Sequence, residues 1–225
     1  MRMINLVLSG ALILATTGVA MPLKAGSSNV DIAPYLDAVH RGDLEAVKQS
    51  LHQGVDVDAR DSRGRTALLI ATYRNHLEIA DLLIDSGADV NARDDIKDTP
   101  YLYAGAEGRL EILRMTVAAG ADLTSVNRYG GTALIPAAHH GHVDTVKYLL
   151  TTEVDIDHVN YLGWTALLEA VILGDGSETY QSIVELLLKA GADPGIADNE
   201  GVLPLDHARQ MGQTLVIQLI EKYTE

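Results

Sequence analysis

A short phrase recurs along this chain every 33 residues, and it limits the fold more than any other feature. Thr66-Ala67-Leu68, Thr99-Pro100-Tyr101, Thr132-Ala133-Leu134 and Thr165-Ala166-Leu167 keep that spacing, and Ala33-Pro34-Tyr35 stands one step earlier. A second phrase runs in phase: Gly54-Val55-Asp56, Gly87-Ala88-Asp89, Gly120-Ala121-Asp122, Glu153-Val154-Asp155 and Gly191-Ala192-Asp193. The last step is longer by five residues, which lie between Thr165 and Gly191, and Leu203-Pro204-Leu205 opens a final unit. Self-similarity at this period means one small supersecondary unit stacked in a row.

Within one period the apolar residues Ala67, Leu68 and Ala71, then Leu77, Ile79, Ala80, Leu82 and Leu83, fall at helical spacings. Two short helices are expected, Thr66 to Arg74 and His76 to Ser86, parted at Asn75. The Thr66 hydroxyl can accept an orphan N–H at the start of the first. Gly87 ends the second, where a left-handed residue costs glycine little. Such a pair cannot bury its own apolar face, whereas stacked pairs form a continuous core. Leu82 and Leu149 are expected to face that stack. Asp56 with Asp58 and Asp155 with Asp157 occupy one recurring slot in the links, so these paired carboxylates read as structural.

The pattern resembles the ankyrin repeat. The marks are the 33-residue period, the Thr-Pro-Leu-His-like opening, the turn Gly141-His142 and the ending from Leu82-Leu83 to Asn91. The resemblance covers residues 28–225 in six units: 28–60, 61–93, 94–126, 127–159, 160–197 and 198–225. One departure is consistent: Leu69, Leu102, Ile135 and Leu168 stand where the family has a histidine, so apolar packing must replace its hydrogen bond. The resemblance implies an all-α solenoid of helix-turn-helix units with β-turn fingers, binding proteins through a concave surface. The end units read as caps. Asp31, Asp37, His40, Arg41, Lys48 and Gln49 make the first polar, and His207, Arg209, Gln210, Gln213 and Gln218 the last. Gly174 to Gln181 is expected to form a longer turn between the two helices of the fifth unit.

Composition removes several functions. The 225 residues carry 17 Lys plus Arg against 31 Asp plus Glu, a net charge of −14. Phosphate contacts need a basic surface, which argues against nucleic acid and anionic membranes as partners. Cysteine is absent, which excludes disulfides, thiolate metal sites and cysteine nucleophiles. Phe is absent too, with one Trp and nine Tyr, so Leu, Ala, Val and Ile build the core.

The start reads as an address. Met1-Arg2 precedes an uncharged, mostly apolar run from Ile4 to Ala20, and Gly18-Val19-Ala20 supplies small residues for signal peptidase. Residues 1–20 are expected to be a signal peptide cleaved after Ala20, and 21–27 a short linker. The mature chain would then be soluble in the bacterial periplasm, with general secretion as the alternative and no stable membrane insertion.

Chemistry is sparse. His139, His140 and His142 could suggest metal or haem ligands, but they straddle a turn where Gly141-His142 is a structural position, and no carboxylate cluster at ligand spacing lies nearby. Gly174-Asp175-Gly176-Ser177 lacks the Gly-Lys-Ser/Thr ending of a phosphate loop. No nucleophile elbow or Ser/His/Asp set stands out. No enzyme, cofactor or metal is therefore expected.

What varies between the repeats is more informative. Arg60, Arg63, Arg65, Tyr73, Arg74 and Arg93 make a basic island around the second unit. Arg128, Tyr129, His139, His140, Tyr161, Leu162 and Trp164 gather in the fourth and fifth. Trp, Tyr and Arg are enriched at interface hot spots, so both groups are expected to bind another protein. Arg65, Asp98, Gly131 and Trp164 share one turn position, which is expected to be exposed. The expected function is a periplasmic protein-binding module. Among similar periplasmic ankyrin-repeat proteins are some linked to catalase and oxidative-stress defence. Alternatives are an immunity protein against a periplasm-directed toxin, a ligand or haem carrier, or an effector delivered to a host.

Overall fold

Three of the six repeats open where a threonine hydroxyl takes up a backbone N–H. Thr66, Thr99 and Thr165 accept from the N–H groups of Leu69, Leu102 and Leu168 at 3.3, 3.1 and 3.2 Å. The structure, a computed structural model, describes residues 31–224. The expected signal peptide 1–20, the linker 21–27 and residues 28–30 lie outside the described residues.

Twelve helices are present among the described residues. They are α1 (Ile32–Arg41), α2 (Leu44–His52), α3 (Ala67–Arg74), α4 (Leu77–Asp85), α5 (Pro100–Ala106), α6 (Leu110–Ala118), α7 (Leu134–His139), α8 (Val143–Leu149), α9 (Ala166–Ile172), α10 (Glu178–Lys189), α11 (Pro204–Gln210) and α12 (Thr214–Thr224). They form the six stacked units expected. The odd-numbered helices pack against one another as an inner row, and the even-numbered ones as an outer row. Residues 69, 102, 135 and 168 are all buried, so apolar packing does replace the missing histidines.

Leu149 is fully buried, as expected, but Leu82 is only partly so. Leu83 faces the core instead, because it follows Ile79 by one turn on the same side of α4. The fourth unit opens differently. Thr132 caps nothing, and α7 starts at Leu134 behind Ala133.

The links between units are held by side chains of the same period. Asp61, Asp94, Asn127, Asn160 and Asp198 each accept two backbone N–H groups through one oxygen, those of the residues two and four further on. These Asx turns shape the five fingers. The recurring acidic slot is structural, as expected: Asp58 accepts from Asp89 N–H at 3.0 Å and Asp157 from Asp193 N–H at 2.9 Å. Asn91 makes the same bond to Asp122 N–H, at 2.8 Å. Gly130 has φ +77° and takes the Tyr161 ring so close that a Cβ would meet it at 2.5 Å. Both features require glycine there.

The five-residue insertion is not only a longer turn. It lengthens α10 to 12 residues, against nine in α4 and α6. Tyr180 in its first turn packs on the core and donates to the His139 carbonyl at 2.7 Å. Gln213 donates to the carbonyls of Val171 and Gly174. The aromatic ring is the reason: once a tyrosine is in the segment, folding it onto the stack buries apolar surface that a free turn would expose. No helix among the described residues is long and apolar enough to cross a membrane.

Candidate functional site

The fingers and the inner helices enclose a concave face, and the two expected residue groups lie along it in different states. Much of the arginine island is engaged in structure. The Arg60 guanidinium donates to the carbonyls of Gly64 and Arg93 at 2.7 and 2.6 Å, tying the finger of the second unit to the start of the next. Arg65 pairs with Asp61 at 2.6 Å and lies 5.6 Å from the Tyr73 ring centre. The pairing holds the Asp61 carboxyl below its ordinary range, against the upward pull of burial. Arg63, Arg74 and Arg93 make no side-chain ion pair among the described residues.

Tyr73 joins the two groups. Its ring meets that of Tyr103 at 3.9 Å between centres, and its hydroxyl donates to Asp98 at 3.0 Å. Arg128 reaches Asp98 at 3.7 Å and lies 4.8 Å from the Tyr129 ring centre. Burial, with Asp98 and Asp94 beside it, raises the Tyr73 phenol. Burial also raises the Asp98 carboxyl, although the Tyr73 hydrogen bond opposes it.

Beyond Asp98 the face deepens into a cavity of about 420 Å³. Arg128, Tyr129, His139, His140, Leu162 and Trp164, all expected in one surface, line it together. Tyr161 lies outside the lining, on the next finger over Gly130. Trp164 is half-buried rather than exposed. Its turn position lies at the finger root against the inner helices, where Asp98 is buried too. The exposed apolar groups are at the finger tips: Tyr161 at 70%, Tyr129 at 58% and Leu162 at 53%.

Glu169 is the residue that sequence reasoning missed. It stands on α9 with only 5% of its surface exposed, and it lines the cavity. Its Oε1 accepts from the Asn160 side-chain amide at 3.0 Å. Its Oε2 is buried without a hydrogen-bond partner, the nearest cationic candidate being His139 Nδ1 at 3.4 Å. Burial pushes this carboxyl up to about 7, against the Asn160 hydrogen bond and the charge of His140. Burial also lowers His139, and His140 lowers it further. A signal was available: Glu169 is the one charge in the apolar helix Ala166–Ile172.

The histidines are spoken for by the fold. His140 Nδ1 lies 2.6 Å from the Ala106 carbonyl, and His142 packs on Gly108 of the preceding unit. No group of three or more His, Asp or Glu among the described residues is arranged to hold a metal ion.

Comparison with known proteins agrees with this architecture. The profile described as "Ankyrin repeats (3 copies)" matches residues 36–127 and 102–198. An ankyrin repeat domain from Acinetobacter baumannii AYE is 55% identical, with a TM-score of 0.84 over 86% of this chain and 99% of that one. The ankyrin repeat protein EF0377 is 46% identical, with a TM-score of 0.83 over the same shares. The ankyrin repeat domain of Bcl-3, a member of the IkappaB protein family, is 28% identical, with a TM-score of 0.75 over 84% of this chain and 85% of that one. A curated relative, the putative ankyrin repeat protein YahD of Escherichia coli (strain K12), is 44% identical over 52 residues. That match spans 23% of this chain and 26% of the relative's length.

Proposed function

The chain belongs to the ankyrin-repeat family, and on that premise we propose that it is a non-catalytic module gripping another protein along the concave face of units two to five. One observation carries the reading. Tyr129, Tyr161 and Leu162, three large side chains more than half exposed, stand together on adjacent fingers at the mouth of a cavity. Apolar surface gathered at a concave mouth is surface that a partner covers. Asx turns and cross-unit hydrogen bonds hold the fingers in place, so little ordering cost opposes docking. Arg63, Arg74 and Arg93 then form a rim that steers association more than it anchors it.

The site of action is the periplasm, reached through the signal-like segment 1–20, with Met1-Arg2, the apolar run and Gly18-Val19-Ala20 as support. The resemblance to periplasmic ankyrin-repeat proteins linked to catalase makes a peroxide-handling enzyme the first partner to test.

The test compares the wild-type chain with a Tyr129→Ser, Leu162→Ser double variant. Both are used to capture partners from osmotic-shock fluid, and the captured protein is then titrated against each. Affinity should fall by at least tenfold (about 1.4 kcal/mol) at an unchanged melting temperature. Full affinity in the double variant would place the interface elsewhere.

A further inference from the structure

We propose that the cavity under the fingers of the fourth and fifth units is a socket for one basic side chain of the partner protein, a lysine or arginine, whose cation is received by Glu169. This rests on the protein-binding reading of the same face. The geometry begins with an acid that the chain leaves unanswered. Glu169 is 95% buried, and its Oε2 has no hydrogen bond among the described residues. Three other acids on this face are each met by the chain's own donor. Asp61 has Arg65 at 2.6 Å, Asp98 has the Tyr73 hydroxyl at 3.0 Å, and Asp198 has His207 at 2.8 Å.

Local charge also favours a cation. Asp98, Glu107 and Glu169 line the cavity, and Arg128 is its one guanidinium. Arg128 is already engaged by Asp98 and the Tyr129 ring. His139, which faces Oε2 from α7, is held toward its neutral form by burial and by His140. An entering anion would therefore meet excess negative charge, and a neutral apolar group would leave Oε2 orphaned at the cost of an unpaired buried carboxylate.

The walls suit a long basic side chain. Leu102, Ile135, Leu162 and Leu173 offer apolar contact to a methylene stem. The Trp164 indole lines the same cavity and adds an aromatic wall near its charged end. About 420 Å³ holds such a side chain with room for its neighbours. The His139 ring, whose side chain is 44% exposed, stands 3.4 Å from Oε2 on the solvent side of the pair.

Trp164 is the only tryptophan in the chain, so its fluorescence reports on this cavity directly. The probes are capped Gly-Arg-Gly and Gly-Lys-Gly tripeptides at millimolar concentration and pH 8, with the citrulline analogue as the uncharged control. The cationic peptides should change the emission saturably, with the citrulline peptide at least tenfold weaker. Glu169→Gln should weaken the cationic peptides at least tenfold. His139→Arg, which supplies the missing cation from within the chain, should abolish their binding. Equal binding of the citrulline peptide, undiminished binding to Glu169→Gln, or no response to any peptide overturns the socket. Agmatine binding tenfold more tightly than the capped arginine peptide overturns it in favour of a free small amine. If these fail while the Tyr129→Ser, Leu162→Ser variant still releases the captured partner, the protein-binding reading stands and the socket alone falls.

Discussion

The fifth and sixth units use the same hydrogen-bond frame with opposite polarity. In each, a finger residue reaches a side chain nine positions on, in the inner helix of the same unit. The sixth unit pairs Asp198 with His207 at 2.8 Å, so acid and base close on each other. In the fifth, an amide replaces the finger acid and an acid replaces the histidine. The Asn160 amide answers one oxygen of Glu169 and leaves the other without a hydrogen bond, with His139 Nδ1 3.4 Å away. The scaffold is thus indifferent to which partner carries the charge. The choice decides whether a unit is self-sufficient or needs something from outside. A terminal unit with a polar outer face is well served by a closed pair. An interior unit lining a cavity can hold an open one.

The largest expected effect concerns the other difference between these units, the insertion. If Tyr180 anchors the end of α7 beneath His139, Tyr180→Ala should destabilise the protein by about 2–4 kcal/mol, combining lost packing and a lost hydrogen bond. Urea unfolding measures this. A loss under about 0.5 kcal/mol, the scale of a neutral surface change, would make the insertion a passive turn after all.

Glu169→Gln sharpens the contrast next, and its sign depends on pH. A carboxyl raised from 4.5 to about 7 by folding is protonated more readily in the native state. Its cost to stability is therefore absent below the unfolded value, grows as pH rises between the two, and is complete above about 7. At pH 8 the glutamine variant should be the more stable by up to about 3 kcal/mol. At pH 4 the two should melt together. Equal melting at both values would mean that Oε2 is answered in solution.

His207→Leu should have the smallest effect and the opposite pH dependence. The Asp198 carboxyl is held low by the Val202 N–H and by His207. The stability it contributes is present above the ordinary carboxylate range and is lost as pH falls through its lowered value. The variant should melt slightly below the wild type at neutral pH and draw level in acid. A neutral-pH melt equal to the wild type would erase the distinction between closed and open pairs.

Much of the scaffold was legible because the same positions repeat. Thr66, Thr99 and Thr165 announced their caps, and buried Leu69 and Leu168 replaced the family histidine without a change of frame. Periodicity failed where one copy broke the rule. It treated residues 174–181 as spacer, although Tyr180 is an anchor. It took the turn position of Trp164 as exposed because four dissimilar residues occupy it, yet variety there reflects different local partners at a covered finger root. It ranked the arginines by type, although Arg60 and Arg65 are bound within the fingers. Glu169 neither repeats nor stands in a motif, and its one sequence signal is that it is the lone charge in an apolar helix. Its importance lies in a missing partner, which only three-dimensional packing can show.

Glu169 is a buried acid whose Oε2 lacks a hydrogen bond, and the proposed socket has a basic side chain complete it. A ¹³C NMR titration of its carboxyl, with and without the capped arginine peptide, tests this most directly. The midpoint should lie near 7 in the free protein and shift toward acid pH when the peptide is bound. A free-protein midpoint near the ordinary glutamate value of 4.5, or one that the peptide leaves in place, would contradict the socket.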